Sequence, residues 1–269
     1  MPELPEVETT VRALRPHLSG RRVVRTRLYR PDLRWPIPAE IGALRDTGFV
    51  QMERRAKYLL MQLEGGTAIW HLGMTGNLRV IDATTPLRTH DHVDMELDNG
   101  RVLRFHDPRR FGALLWQPEG ETHTLLRNLG PEPLGDSFTA RWLYERSRGR
   151  TMAVKPFLMD QATVVGVGNI YANEALFEAG IHPGRAAGRV SLERYTVLVK
   201  RIRDVLARAI AVGGTTLKDF SSPDGFEGYF VQELKVYGRA GEPCVQCGRA
   251  LKSSMLGQRQ TVWCPGCQT

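Results

Sequence analysis

The sequence predicts an α+β protein in two parts, an antiparallel β half followed by a helical half that ends in a four-cysteine ribbon. Three observations carry this reading. Short strand-like runs with hairpin turn signals fill residues 21–116. A Pro/Gly-rich stretch, Asn128-Leu-Gly-Pro-Glu-Pro-Leu-Gly135, then breaks the pattern. Beyond it apolar residues recur at helical spacing, and all four cysteines fall within the last 26 residues.

The chain opens with a helix. Leu4, Val7, Val11, Leu14 and Leu18 repeat at spacings of three and four, and Ser19-Gly20 ends the stripe. Glu3, Glu6 and Thr10 lie off it. The β half follows: Val23-Val24, Leu28-Tyr29, Phe49–Leu63, Ala68–Leu72, Leu78–Ile81, Val93–Leu97, Val102–Phe105 and Ala113–Trp116. Gly65-Gly66, Gly73…Gly76 and Asp98-Asn-Gly100 supply turns, so a sandwich or a barrel is expected. The domain boundary falls at the Pro/Gly break. In the second half Leu192, Tyr195, Leu198, Val199, Ile202, Val205, Leu206, Ala209 and Ile210 form one apolar face, with Ser191 as N-cap and Gly213-Gly214 as stop. Lys200, Arg201, Arg203 and Arg208 are expected on a solvated face. Residues 214–228, rich in Gly, Ser, Thr and Asp, read as a long loop.

Length and composition suit one large or two ordinary globular domains. No apolar run reaches membrane-span length and no signal core is visible, so a cytoplasmic protein is expected. The net charge of +8 directs attention to polyanions, nucleic acid first among them.

Four motifs carry chemistry. Cys244-x-x-Cys247 and Cys264-x-x-Cys267, sixteen residues apart, match four-cysteine zinc spacing, and a closed tetrahedron of thiolates makes a structural site. Arg249, Lys252 and Arg259 make that ribbon basic. Val165-Gly-Val-Gly-Asn169 before a helical stretch is either a plain helix entry or an anion site. His71-Leu-Gly-Met-Thr-Gly76 and Asp107-Pro-Arg-Arg-Phe-Gly112 present Met74, Arg109, Arg110 and Phe111, which on the residues alone read first as a satellite hydrophobic contact under a loop and second as a wedge-and-arginine pairing suited to unstacking a base. His90-Asp-His92 reads as surface or DNA-facing rather than as a metal site. The opening Met1-Pro2-Glu3 has two readings. Pro and Glu favour a helix start. With Met1 removed, Pro2 also offers an amine titrating at about 7.7–8.0, a nucleophile able to form a Schiff base beside the Glu3 carboxylate.

Pro-Glu-Leu-Pro-Glu-Val-Glu, Arg-Arg-Ala-Lys-Tyr, His-Leu-Gly-Met-Thr-Gly, Asp-Pro-Arg-Arg-Phe-Gly, Val-Gly-Val-Gly-Asn-Ile-Tyr-Ala, Gly-Gly-Thr-Thr-Leu-Lys-Asp-Phe and the cysteine ribbon occur in this order from end to end. The ordered set resembles the bacterial formamidopyrimidine-DNA glycosylases, which repair 8-oxoguanine. The resemblance implies a catalytic β-sandwich with flanking helices over 1–130, a hinge over 131–138, a helix–two-turn–helix DNA-binding domain over 139–230 and a zinc-finger hairpin over 231–269. It implies that Pro2 attacks C1′ of the damaged nucleotide, with Glu3 as proton donor, Lys57 as proton donor for β-elimination and Arg259 for δ-elimination.

The same resemblance places His71, Lys155, Asn169 and Tyr237 on phosphates and makes His90, Arg109 and Arg150 further DNA contacts. Met74, Arg109 and Phe111 would fill the space left by the flipped nucleotide, and the loop over 215–229 would close on the base. One structural zinc on Cys244, Cys247, Cys264 and Cys267 is implied, and a monomer acting on damaged double-stranded DNA. Thr75 and Arg150 stand where the family pattern has Ser and Lys. Arg150 keeps the charge but changes the hydrogen-bond geometry. Two alternatives carry different expectations. An endonuclease VIII-type enzyme would prefer oxidised pyrimidines, and a non-catalytic damage-binding protein would bind without cutting. The Leu4-Pro5-Glu6-Val7-Glu8 wording and the separate Met74 and Arg109/Phe111 wedges favour the guanine enzyme.

Overall fold

The computed structural model describes residues 2–214 and 230–269. Helix α1 spans Leu4–Leu18, and its five-residue stripe is at most 1% exposed. Burial at about 1.5–3 kcal/mol per large apolar side chain fixes the helix and hence the direction of its first turn. Glu3, Glu6 and Thr10, off that stripe, are buried as well. Glu3 is the N-cap of a capping box in which its own N–H donates to Glu6 Oε2 at 2.8 Å. The Thr10 hydroxyl donates back to the Glu6 carbonyl at 2.8 Å. The helix therefore buries a polar face beside its apolar one.

Strands β1 (Arg22–Leu28), β2 (Arg45–Arg55), β3 (Tyr58–Leu63), β4 (Gly66–His71), β5 (Asn77–Asp82), β6 (Asp91–Leu97), β7 (Arg101–His106) and β8 (Ala113–Pro118) follow, with a short helix α2 (Ala39–Ala43) between β1 and β2. They pair in the order β5-β7-β6-β1-β2-β3-β4-β8, every neighbour antiparallel. Trp70 on β4 and Phe105 on β7 are far apart in that order, yet their rings lie 5.4 Å apart. The sheet therefore folds over itself, and its inner faces share one core with Val7, Val11, Leu14 and Leu18 of α1. The run Phe49–Leu63, expected as one strand, is instead a hairpin. Arg55 pairs with Tyr58 across Ala56-Lys57, and Ala56 takes the turn with φ +55. No Gly, Asn or Asp marks the turn; for Ala the left-handed region costs roughly 1–2 kcal/mol.

Helix α3 (Thr124–Arg127) ends the first half, and the second holds helices α4 (Ala140–Ser147), α5 (Val154–Met159), α6 (Asn169–Glu178) and α7 (Leu192–Ala211), followed by the hairpin β9 (Lys252–Leu256) and β10 (Arg259–Trp263). Ser191 caps α7 by accepting the Arg194 N–H, and the expected apolar face is buried from Tyr195 to Ile210. Arg203, expected in solvent, is not there. Its guanidinium donates to the carbonyls of Pro133, Gly135 and Phe138 at 2.9–3.2 Å and fastens the Pro/Gly stretch to α7. The described residues divide into two compact units, 2–127 with 213–214, and 128–212 with 230–269. No helix among the described residues is long and apolar enough to cross a membrane.

Candidate active site and nucleic-acid interface

Pro2 and Glu3 are buried at the start of α1, and Lys57 is 8% exposed at the turn between β2 and β3. The first unit thus holds three of the four expected catalytic side chains. His71, at the end of β4, pairs with Tyr58 in the β3–β4 ladder. Burial first, then the nearby charges of Lys57 and Arg34, push its imidazole down to about 4. It is therefore neutral near pH 7. Nδ1 accepts the Gly73 N–H at 3.0 Å, which leaves the ring proton on Nε2 as a donor suited to a phosphate oxygen. Arg34, absent from the expected set, is a cation beside this histidine; no sequence signal separated it from other surface arginines.

The two wedge loops are stitched together. The Thr75 hydroxyl donates to Asp107 Oδ1 at 2.6 Å, the Gly112 N–H to Asp107 Oδ2 at 2.8 Å, and the Arg109 N–H to Thr75 Oγ1 at 3.3 Å. Gly73 has φ +63, and a Cβ there would fall 2.3 Å from the Phe111 carbonyl carbon, so only glycine permits this approach. Met74 is half-buried, Phe111 is 47% exposed, and the Arg109 guanidinium lies 4.8 Å over the Phe111 ring. The wholly buried Asp107 is the hub, and its place at the head of the Asp-Pro-Arg-Arg-Phe-Gly motif was the signal for it. His90 is exposed with φ +75; its carbonyl accepts the Asp107 N–H at 3.0 Å, while His92 bonds the Asp107 carbonyl at 2.9 Å.

In the second unit a polar ladder runs along α6. Lys155 is fully buried, and its ammonium donates to Asn169 Oδ1 at 2.6 Å, Thr261 Oγ1 at 2.7 Å and the Gln260 carbonyl at 3.1 Å. Lys155 thereby joins the first residue of α6 to β10, at positions next to Arg259 in the chain. Asn173 accepts the Val262 N–H at 3.0 Å. Glu174, 2% exposed, accepts the N–H groups of Lys235, Val236 and Tyr237 at 2.8–3.0 Å. Burial pushes its carboxyl pKa upward, against the pull of those three donors. Asn169 thus opens α6, the Tyr237 backbone is held farther along it by Glu174, and β10, whose first residue is the exposed Arg259, lies beside it. Arg150 lies exposed after α4, its carbonyl accepting the Gly188 N–H at 3.0 Å. Lys155, Asn173 and Glu174 had no local sequence signal as bracing residues, because most of their partners lie 61–106 positions away.

The four cysteines are the group among the described residues fit to hold a metal. Their Sγ atoms lie within 4.8 Å of one another, with Cys244–Cys267 at 3.8 Å and Cys247–Cys264 at 3.4 Å. Zn–S bonds of about 2.3 Å in a tetrahedron require sulfurs about 3.8 Å apart. Burial and the three neighbouring thiols push the Cys267 thiol up to about 12, a crowding that a divalent cation relieves.

Three family models match successive stretches of the chain. The formamidopyrimidine-DNA glycosylase N-terminal domain model matches residues 1–114, the H2TH domain model of the same enzymes residues 129–221, and a zinc finger found in FPG and IleRS residues 241–269. The chain belongs to the formamidopyrimidine-DNA glycosylase family. Formamidopyrimidine-DNA glycosylases of Alcanivorax borkumensis and Stenotrophomonas maltophilia are each 62% identical to it, over 268 and 269 residues, with full coverage of both chains. The crystal structure of MutM (Fpg) from Thermus thermophilus superposes with a TM-score of 0.90 at 39% identity, covering 99% of this chain and 98% of that one. A Lactococcus lactis Fpg mutant in complex with Fapy-dG-containing DNA gives 0.93 at 31% identity, with full coverage of both. As a formamidopyrimidine-DNA glycosylase family member the chain carries one structural zinc on its four cysteines. The loop expected to close over the base lies outside the described residues.

Proposed function

We propose that this chain turns oxidised purines, 8-oxoguanine and formamidopyrimidines, out of double-stranded DNA, excises them and then cuts the strand. It is a base-excision repair enzyme by family, and the glycosylase-plus-lyase chemistry is typical of that family. The observation that carries the residue assignments is the capped, buried start of α1, where Pro2 adjoins Glu3 and the helix cannot fray.

With Met1 removed, the Pro2 nitrogen bonds to C1′ as the glycosidic bond breaks and the base leaves with the bonding electrons. Glu3 serves as proton donor, delivering a proton to O4′ as the C1′–O4′ bond breaks and the sugar ring opens to the iminium. The resulting iminium acidifies the C2′ protons; loss of one expels the 3′ phosphate, with Lys57 moving the proton. A second elimination, assigned to Arg259, expels the 5′ phosphate. Turning the nucleotide out costs a few kcal/mol. Met74, Arg109 and Phe111 offset this by occupying the gap, and His71, Asn169 and Tyr237 by holding phosphates. Lys155 supports Asn169 from beneath. His90 and Arg150 add contacts to the backbone. The enzyme acts as a monomer in the cytoplasm, on the nucleoid. The domain limits proposed are 1–130 for the catalytic sandwich, 131–138 for the hinge, 139–230 for the helix–two-turn–helix domain and 231–269 for the zinc finger.

Borohydride reduction in the presence of an 8-oxoguanine duplex tests the assignment. A covalent protein–DNA adduct is expected, lost in Pro2→Gly and in a preparation that retains Met1. No adduct, or an undiminished yield in either of those proteins, overturns it. Faster excision of thymine glycol than of 8-oxoguanine opposite C would favour the endonuclease VIII-type alternative.

A further inference from the structure

Lys57 follows a wholly buried Ala56 at φ +55, a conformation that an alanine side chain has no polar atom to stabilise. The support comes from Arg54, whose terminal nitrogen donates to the Ala56 carbonyl at 3.2 Å. That carbonyl belongs to the peptide whose N–H is Lys57's own, so fixing it fixes the plane from which Lys57 departs. The same guanidinium reaches α1, where its Nε donates to Glu8 Oε2 at 3.0 Å. Glu8 Oε1 accepts from Arg12 Nε at 2.8 Å. The inner pair is sheltered, with side chains 10% exposed for Arg54 and 19% for Glu8, while Arg12 is 59% exposed. Burial raises the Glu8 carboxyl, but the two arginines outweigh it and hold the group below the usual carboxylate range, so it stays charged at neutral pH.

We propose that the Glu8–Arg54 ion pair is the device that positions Lys57 against the helix bearing Pro2, making both members positioning residues for β-elimination. The inference rests on the assignment of Lys57 as the proton carrier. The chain of contacts has one covalent end at each reacting group: Pro2 leads into α1, α1 carries Glu8, Glu8 holds Arg54, and Arg54 holds the peptide before Lys57. A bond that served only to attach β2 to α1 would need the Glu8 contact alone. The fork shape of the guanidinium explains the choice of residue, because it donates in two directions at once, whereas a lysine offers a single point.

The test uses the full-length enzyme with Pro2 free, on a preformed abasic duplex, in single turnover. Imine formation is read by borohydride capture and elimination by strand scission, each across pH 6–9. For Arg54→Lys and Glu8→Gln, elimination falls about tenfold or more, as expected for a misplacement near 1 Å. Imine capture falls less than twofold, and the double variant is no slower than the slower single, since both break one chain of contacts. The pH profile of scission changes while that of capture does not. Glu8→Asp, which keeps the charge but withdraws the carboxylate by one methylene, gives the same split should Glu8→Gln fail to fold. Equal losses in both readouts, or no loss in either, overturn the proposal. A Lys57→Ala control that eliminates at the wild-type rate removes the Lys57 assignment itself, leaving the pair nothing to position.

Discussion

The Thr75 hydroxyl and the Asp107 carboxylate, 2.6 Å apart, join the loop of Met74 to the loop of Arg109 and Phe111. Asp107 is wholly buried, and a hydrogen bond to a charged acceptor contributes about 1.5–3 kcal/mol. Thr75→Val keeps the shape and removes the donor. It is expected to slow excision of 8-oxoguanine about tenfold and to weaken base eversion, read by a fluorescent base analogue beside the lesion. Thr75→Ser, which restores the hydroxyl, should behave as wild type.

Lys155 has three oxygen partners and no exposure. Lys155→Met leaves those acceptors without their donor in the interior. A stability loss of about 2–4 kcal/mol is expected from unsatisfied buried groups, measured by urea unfolding. Binding to an abasic-analogue duplex should weaken as Asn169 loses its support. The slope of log affinity against log salt should stay the same, because the Lys155 ammonium is wholly buried among those acceptors. Asn169→Ala and Arg150→Gln should each weaken binding directly, and Arg150→Gln should lower the slope by about one.

His71 makes stability fall on acidification. Its folded pKa of about 4 lies below the ordinary 6.5, so the unfolded chain binds the proton more readily. The stabilisation is complete above pH 6.5 and is lost as pH falls through 4, amounting to up to about 3 kcal/mol. Urea midpoints between pH 7.5 and 4 should drop for the wild type and drop less for His71→Gln. At pH 7 this variant should leave the salt slope of DNA binding unaltered, because the imidazole carries no charge there.

Metal analysis should find one zinc per chain. Phe177 of α6 and Val262 of β10 pack in one cluster with Cys244 and Cys264, so stripping the zinc disturbs more than the ribbon. Chelation, or Cys264→Ser, is expected to lower the melting temperature and to weaken duplex binding at least tenfold, with recovery on readdition of zinc to the chelated enzyme.

Periodicity revealed α1, the apolar face of α7 and most of the strands, because burying an apolar stripe leaves a direct trace in spacing. It did not reveal that Glu3, Glu6 and Thr10 are buried too, since a capping box satisfies them locally and spacing does not record hydrogen bonds. The hairpin at Ala56 was invisible because the Arg54 hydrogen bond and the Arg55–Tyr58 pairing hold the turn on a residue with no preference for it. Arg203 and Lys155 resemble solvated cations in sequence. Only the fold brings the carbonyls of 133–138 to one and Asn169 with β10 to the other. Candidate residues were legible through ordered motifs, whereas the groups that brace them were not, because bracing runs between segments distant in the chain.

Gly214 belongs to the first unit although some eighty-five residues of the second precede it. A Cβ there would come within 3.1 Å of Glu6 Oε1, so its backbone lies directly against the buried acid of the capping box. During synthesis, then, the start of the chain remains incompletely covered until residue 214 has left the ribosome. A fragment ending at 127 would keep every strand of the sheet yet lack that cover, which makes the amino terminus one of the last parts of the molecule to reach its finished environment.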